Sequence, residues 1–216
     1  MTSPPNPPSP SPPVGAEPGT RAVAPGPGDV VDLLMRHRSI RRYRDEPIPD
    51  EVLARAVRAG QAASTSSAVQ ATTLVDVRDP AMRARLAELA GGQRQVETAA
   101  RFLVACGDVR RHRLAAAVHG RPYDTRLEAF LVAAIDAALL AQNLCVALES
   151  LGYGICYIGG LRNELAEVDR LLGLPEGVLP LFGLCAGDTI DPASASATAS
   201  AAASSPASAN RAEAAQ

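Results

Sequence analysis

Apolar residues recur along this chain in two rhythms, every third or fourth position in long stretches and almost without interruption in short ones. The longest helical stretch, DTRLEAFLVAAIDAALLAQNLCVALESLG, predicts one helix from about Thr125 to Leu151, because Ala and Leu dominate and neither Pro nor Gly interrupts it. Asp124 stands where a cap is wanted, and Gly152 where a left-handed residue follows the last turn. Such a helix is about 40 Å long. Leu131, Ile135, Leu139 and Val146 form its apolar stripe, and Ala133, Ala134, Ala137, Ala138 and Ala141 leave few polar faces. A helix apolar on most sides is expected in the middle of a fold or of a dimer. YGICYIGGLRN follows and predicts a strand Tyr153–Ile158, a Gly-Gly turn, and a helix capped by Asn163 that runs through Leu172 to a stop at Gly173.

Upstream, GDVVDLLMRHRS predicts a first helix capped by Asp29, with Val30, Val31, Leu33 and Leu34 facing inward. Pro49 and Asp50 start a second, ending near Ala63, with Val52, Leu53, Ala56 and Val57 buried. Thr72–Val77 reads as a strand. Asp79-Pro80 opens a helix carried by Met82, Leu86 and Leu89 and ended by Gly91-Gly92. Residues 102–108 form a continuous apolar run suited to the middle of a sheet, and 178–188 the last strand. Between Val109 and Tyr123 the pattern supports only a helical turn or two at Leu114–Val118. About four strands and six helices, with helices between strands, make an α+β or α/β sandwich around a modest sheet.

The ends of the chain read differently. Residues 1–28 are Pro-rich without apolar period, and 192–216 are low-complexity Ala/Ser, so both are expected to be disordered tails around one domain at 29–191. The first tail lacks the charged start and apolar run of a secretory signal. No stretch is apolar for long enough to predict a membrane span. A net charge of −2 with scattered cations predicts no nucleic-acid partner. Cys106, Cys145, Cys156 and Cys185 stand singly, without a CxxC pair, and are expected as free thiols in a reducing cytoplasm.

The chain has no lysine, which removes Schiff-base chemistry and the phosphate-loop motif. His37, His112 and His119 lack metal-ligand spacing, so no zinc or iron site is expected. A reactive group is therefore expected from a cofactor. Arg36, Arg38, Arg41, Arg42 and Arg44, with His37 and Ser39 among them, form either a solvated basic turn or a site for a phosphate dianion. Residues 64–67 (STSS) are a turn or a set of hydroxyl donors. Gln93 is a polar amide on a short loop. A dinucleotide fingerprint fails, because Gly152 and Gly154 precede the strand and Tyr157 takes the third glycine's place. No GxSxG elbow supports a serine nucleophile.

The segments HRSIRRYRDEPIP, STSSAVQATT, GGQRQV, AAIDAALLAQNLCVALESLGYG, YIGGLRN and LPLFGLCAGD occur in one order. Over about Val30 to Gly187 this resembles the bacterial nitroreductase family, most closely its oxygen-insensitive NADPH nitroreductase and flavin-reductase group. The resemblance implies an α+β, three-layer α-β-α homodimer with long central helices and FMN in two pockets at the subunit interface. It implies that His37, Arg38, Ser39, Ile40 and Arg41 hold the flavin phosphate and ribityl chain. It implies further that Thr65 approaches the cofactor, that Gln93 meets the polar edge of the ring, and that Tyr157, Ile158, Gly159 and Gly160 run beside it. Glycine there lets a backbone amide reach the ring. Glu128 and Arg162 match positions at the pocket mouth that contact substrate, or are respectively a helix first-turn acid and a surface cation. The implied cycle is ping-pong, from NADPH or NADH through FMN to a nitroaromatic, quinone or flavin acceptor.

In that family an arm beyond the last strand wraps the partner and returns basic residues to the phosphate and to NADPH. Here no cation follows Gly187 until Arg211. At about 1.5–3 kcal/mol per charge-assisted hydrogen bond, the loss of two is expected to weaken FMN by roughly a hundredfold or more. The preference between NADPH and NADH stays open, as does the alternative of a flavin-binding or carrier protein with little turnover.

Overall fold

The computed structural model describes residues 29–123 and 126–190. The expected tails, the Asp124 cap and the helix start at Thr125 lie outside the described residues. Among the described residues, seven α-helices and four strands follow in the order α1 (Val30–Met35), α2 (Asp50–Gln61), β1 (Thr72–Asp76), α3 (Pro80–Leu89), α4 (Gln95–Thr98), β2 (Arg101–Asp108), α5 (Arg110–Val118), α6 (Leu127–Ser150), β3 (Gly154–Ile158), α7 (Leu165–Leu172) and β4 (Val178–Gly187). The strands form one sheet in the order β1-β2-β4-β3, and every neighbouring pair is antiparallel. Helices between strands are compatible with α/β as well as α+β; antiparallel pairing decides for α+β.

The sheet is the middle of three layers because its strands alternate. Phe102, Val104 and Cys106 of β2 join a core with Leu86 and Leu89 of α3, Val96 of α4 and Val168 of α7. Leu103 points the other way, into a core with Leu53 of α2 and Leu144 and Leu148 of α6. Pro180 stands in β4, a central strand, where a proline removes a ladder hydrogen bond. The register slips there: Ala105 faces Phe182 and Cys106 faces Pro180, which leaves Leu181 as an unpaired bulge residue.

The buried face of α6 is not the expected stripe. Leu131, Ile135 and Leu139 are 42, 54 and 41 % exposed, while Ala133, Ala137, Leu140, Ala141, Leu144 and Leu148 are buried. At the start of this face small residues let the helix lie close to the sheet: a methyl added at Gly107 of β2 would stand 3.1 Å from the Ala133 Cβ. Val30, Val31 and Leu34 of α1 are likewise exposed rather than inward. Asn163 ends a short 3-10 turn (Gly159–Arg162), and Glu164 takes the N-cap of α7 in its place. By length and composition α6 is apolar enough to cross a bilayer, contrary to expectation, although 44 % of its apolar window is buried in the fold.

Candidate functional site

The basic turn is held against the start of β3. Ser39 forms a parallel bridge with Ile155, and the Ile40 amide donates to the Ile155 carbonyl at 2.8 Å. Gly154 makes this approach possible, since a Cβ there would meet three Ile40 side-chain atoms at 2.8 Å. Ile40 is buried, and the Tyr43 hydroxyl donates to its carbonyl at 2.6 Å. Arg38, Ser39 and Arg41 remain exposed on either side. Burial pushes the Cys156 thiol up, and the Arg41 charge and a Ser39 hydrogen bond oppose it. His37 Nδ1 lies 2.7 Å from Glu149 Oε1 at the end of α6. Cys145, one turn earlier, joins them in a group whose candidate ligand atoms all lie within 4.8 Å of one another, a grouping that histidine spacing could not reveal.

The glycine turn lies at the other end of the same strand. Ile158 is buried; Tyr157 is half-buried, with its ring 5.5 Å from that of Phe182 and its hydroxyl donating to Gln142 Oε1 at 3.3 Å. Burial first, then the nearby Cys145 and Glu149, pushes the Tyr157 phenol well above its ordinary range. Gly160 admits no side chain: a methyl would collide with the Ala90 carbonyl oxygen and stand 2.6 Å from Gln93 Nε2. Gln93 is thus brought directly against the glycine turn. Its Nε2 donates to the Ala90 carbonyl at 2.9 Å, and its Oε1 accepts from the buried Gln95 at 2.8 Å, so its amide orientation is set. Arg162 folds back beside Gly159 and donates to the Leu181 carbonyl at 3.0 Å. That carbonyl belongs to the bulge residue, so Arg162 has a structural task independent of any ligand.

The hydroxyl loop occupies the opposite edge of the sheet. Asp136, fully buried in the middle of α6, accepts from the Ser66 amide at 3.3 Å and from the Ala71 amide at 2.9 Å. Between these points Ser67, Ala68 and Gln70 have φ of 50°, 55° and 53°. Left-handed backbone at a residue with a Cβ costs about 1–2 kcal/mol, roughly 3–6 kcal/mol for three. From the other side Arg111 donates to the Gln70 carbonyl, and His112 Nε2 lies 2.9 Å from the Val69 carbonyl. Thr65 lines a cleft of about 680 Å³ here, with Leu53, Val57, Leu103 and Leu140 among its apolar walls.

A single chain therefore brings His37–Arg41, Tyr157–Gly160, Gln93 and Arg162 to β3. It does not bring Thr65 or Glu128 there. Asp136 and Glu149, the α6 residues at the two groups, are thirteen positions apart, about 20 Å along the helix. Glu128 is exposed in the first turn of α6, about 20 Å from Gln142. Asp136, Glu149, Gln95 and Gln142 were not singled out from sequence; only Asp136, a lone acid in an apolar helical run, carried a readable signal.

The profile of the Nitroreductase family matches residues 34–188, and this chain belongs to that family. It is 46 % identical over 162 residues to an FMN reductase (NADPH) of Bacillus subtilis (strain 168), covering 74 % of this chain and 65 % of the relative. It is 45 % identical over 159 residues to an NADPH-flavin oxidoreductase of Vibrio harveyi, again covering 74 % and 65 %. The chain thus spans about two thirds of the length of these relatives. Among solved structures, the NfrA1 nitroreductase from B. subtilis superposes with a TM-score of 0.74 at 44 % identity, covering 76 % of this chain and 67 % of that one. The Vibrio harveyi NADPH:FMN oxidoreductase, solved in complex with NAD+, gives 0.71 at 44 % identity over 75 % and 69 %.

Proposed function

We propose that this chain is an FMN-dependent oxidoreductase that passes a hydride from NADPH or NADH to a nitroaromatic, quinone or flavin acceptor in two successive half-reactions. The observation that carries this reading is the pairing on one strand: exposed guanidinium groups at the start of β3 and a side-chain-free turn at its end. Ile155 and Gly159 are four residues apart, about 13 Å of extended chain. That suits a ligand with a dianion at one end of a short polyol and a flat ring at the other.

His37, Arg38, Ser39 and Arg41 would hold the phosphate, as charge-assisted donors do. Ile40 seats the turn by being buried. Gln93, its amide oriented by Ala90 and Gln95, would meet the polar edge of the ring, and Gly159–Gly160 would let backbone approach it beside Tyr157 and Ile158. When bound, FMN supplies the reversible hydride chemistry. Arg162 and Glu128 are proposed at the substrate mouth, Arg162 keeping one nitrogen on Leu181.

A homodimer is part of the proposal. Leu127, Phe130, Leu131, Ile135 and Leu139 leave an exposed apolar row on α6, of the kind that marks an association surface. Thr65, remote from β3 in its own chain, is then proposed to reach the partner's flavin. Four free, buried cysteines support a reducing, cytoplasmic setting.

The test is to titrate the full chain with FMN and with phosphate-free riboflavin, then mix the loaded protein with NADPH or NADH without oxygen. Tighter binding of FMN and bleaching by at least one nicotinamide are expected. A protein that stays colourless in excess FMN defeats the reading; one that binds FMN and is bleached by neither is a carrier instead.

A further inference from the structure

We infer that Asp136 is a positioning residue for the flavin site, a clamp that sets the hydroxyl loop 64–71 in the one shape from which Thr65 reaches the cofactor. The inference rests on the proposed flavin site and goes beyond it, because nothing in that reading requires an acid inside α6. Asp136 is fully buried, among Ala133, Ala137 and Leu140, and forms no ion pair among the described residues. A charge in that position is tolerated only when hydrogen bonds satisfy it. Its two oxygens take backbone amides from near the two ends of the strained segment, Ser66 and Ala71. Arg111 and His112, from α5, hold the carbonyls of Gln70 and Val69.

Amides fastened to an anion on one side and carbonyls to donors on the other leave the loop little choice of path. Three left-handed residues without glycine persist only where the surroundings over-determine them, as at ligand clamps. A loop whose only task was to connect α2 with β1 would gain from glycine at these positions.

The experiment compares FMN affinity in the full chain, Asp136→Asn, Asp136→Asn/Ala68→Gly and Ala68→Val. The amide keeps the shape of the carboxylate and turns a donor toward one of the two amides. Loss of one of these hydrogen bonds lowers the share of chains whose loop already has the binding shape, and FMN should weaken by up to roughly tenfold. Glycine at position 68 adopts left-handed backbone freely, so the double variant should recover most of that affinity, which a merely structural role for Asp136 would not predict. Ala68 is exposed, so Ala68→Val leaves the core untouched while its β-branch resists the left-handed region; it should weaken FMN even if Asp136→Asn fails to fold. Unchanged FMN affinity in Asp136→Asn or in Ala68→Val, or a loss that glycine does not relieve, overturns the inference. A parent chain that takes up no FMN sinks the proposed function and this inference together, whereas normal binding by the parent with unaffected variants sinks this inference alone.

Discussion

Along β3, Gly154 and Gly160 let the basic turn and the Gln93 loop lie so close that no methyl fits, and the geometry there is set by packing. Across the sheet, the segment 64–71 has ample room, with a cleft beside it, and is set by hydrogen bonds that hold backbone in a costly conformation. The first arrangement tolerates no added volume and little motion. The second tolerates volume but not the loss of a partner. Both are anchored on α6, the first through Gln142 and Glu149 and the second through Asp136, so one rigid rod fixes the distance between them.

The contrast can be attacked first where it is sharpest. Gly160→Ala should destabilise the fold by about 3 kcal/mol or more, at the upper end for overpacking, because the colliding atom is a backbone oxygen. Thr65→Ala on the open edge should change stability by less than about 0.5 kcal/mol, as surface substitutions usually do. Denaturant midpoints of the two variants measure the difference, and equal values would erase the distinction drawn between the edges.

Next is the seam through which the open edge is proposed to meet a partner. Ile135 is 54 % exposed in one chain. If a second copy covers the exposed half, Ile135→Asp removes burial worth about 1 kcal/mol per subunit and adds a charge to an apolar contact. Sedimentation should then show dissociation at concentrations where the parent stays dimeric, with helicity retained. An unchanged sedimentation profile would place the association surface elsewhere.

A comparable effect, confined to binding, is expected at the packed edge. Arg38→Ala and Arg41→Ala should each cost FMN about 1.5–3 kcal/mol, roughly ten- to a hundredfold, while the midpoint of unfolding moves little. Riboflavin, lacking the phosphate, should bind parent and variants alike. Should FMN and riboflavin weaken together, these side chains act on the fold and not on a phosphate.

The last effect is confined to alkaline pH and concerns the cores flanking the sheet. Burial pushes the thiols of Cys106 and Cys145 up to about 12. In the unfolded chain a thiol titrates near 8.5. The folded state therefore keeps these protons longer, and the stability they confer is complete below about pH 8.5 and is lost as pH rises toward 12. Melting temperature should decline through that window, and less steeply in a Cys106→Ala/Cys145→Ala variant. A slope unaltered by the double substitution would assign the alkaline loss to other groups.

Much of this protein is legible from residue order alone. The four strands and the long helix follow from local pattern, since apolar period and glycine or proline punctuation act over a few residues and need no distant partner. The candidates flanking β3 were readable because HRSIR and YIGGLRN are each contiguous. Which face of α6 is buried was not readable: Leu131, Ile135 and Leu139 form an apolar stripe, yet the face of Ala133, Ala137, Leu140, Leu144 and Leu148 packs on the sheet, with β2 approaching most closely where Gly107 meets Ala133. The Pro180 bulge and its capture of Arg162 depend on strand register, which no single segment encodes. The meeting of His37 with Glu149, of Gln93 with Gly160, and of Asp136 with both ends of the hydroxyl loop joins residues 65 to 112 positions apart. Contacts of that span are set by how layers stack on the sheet, and only the folded chain decides them.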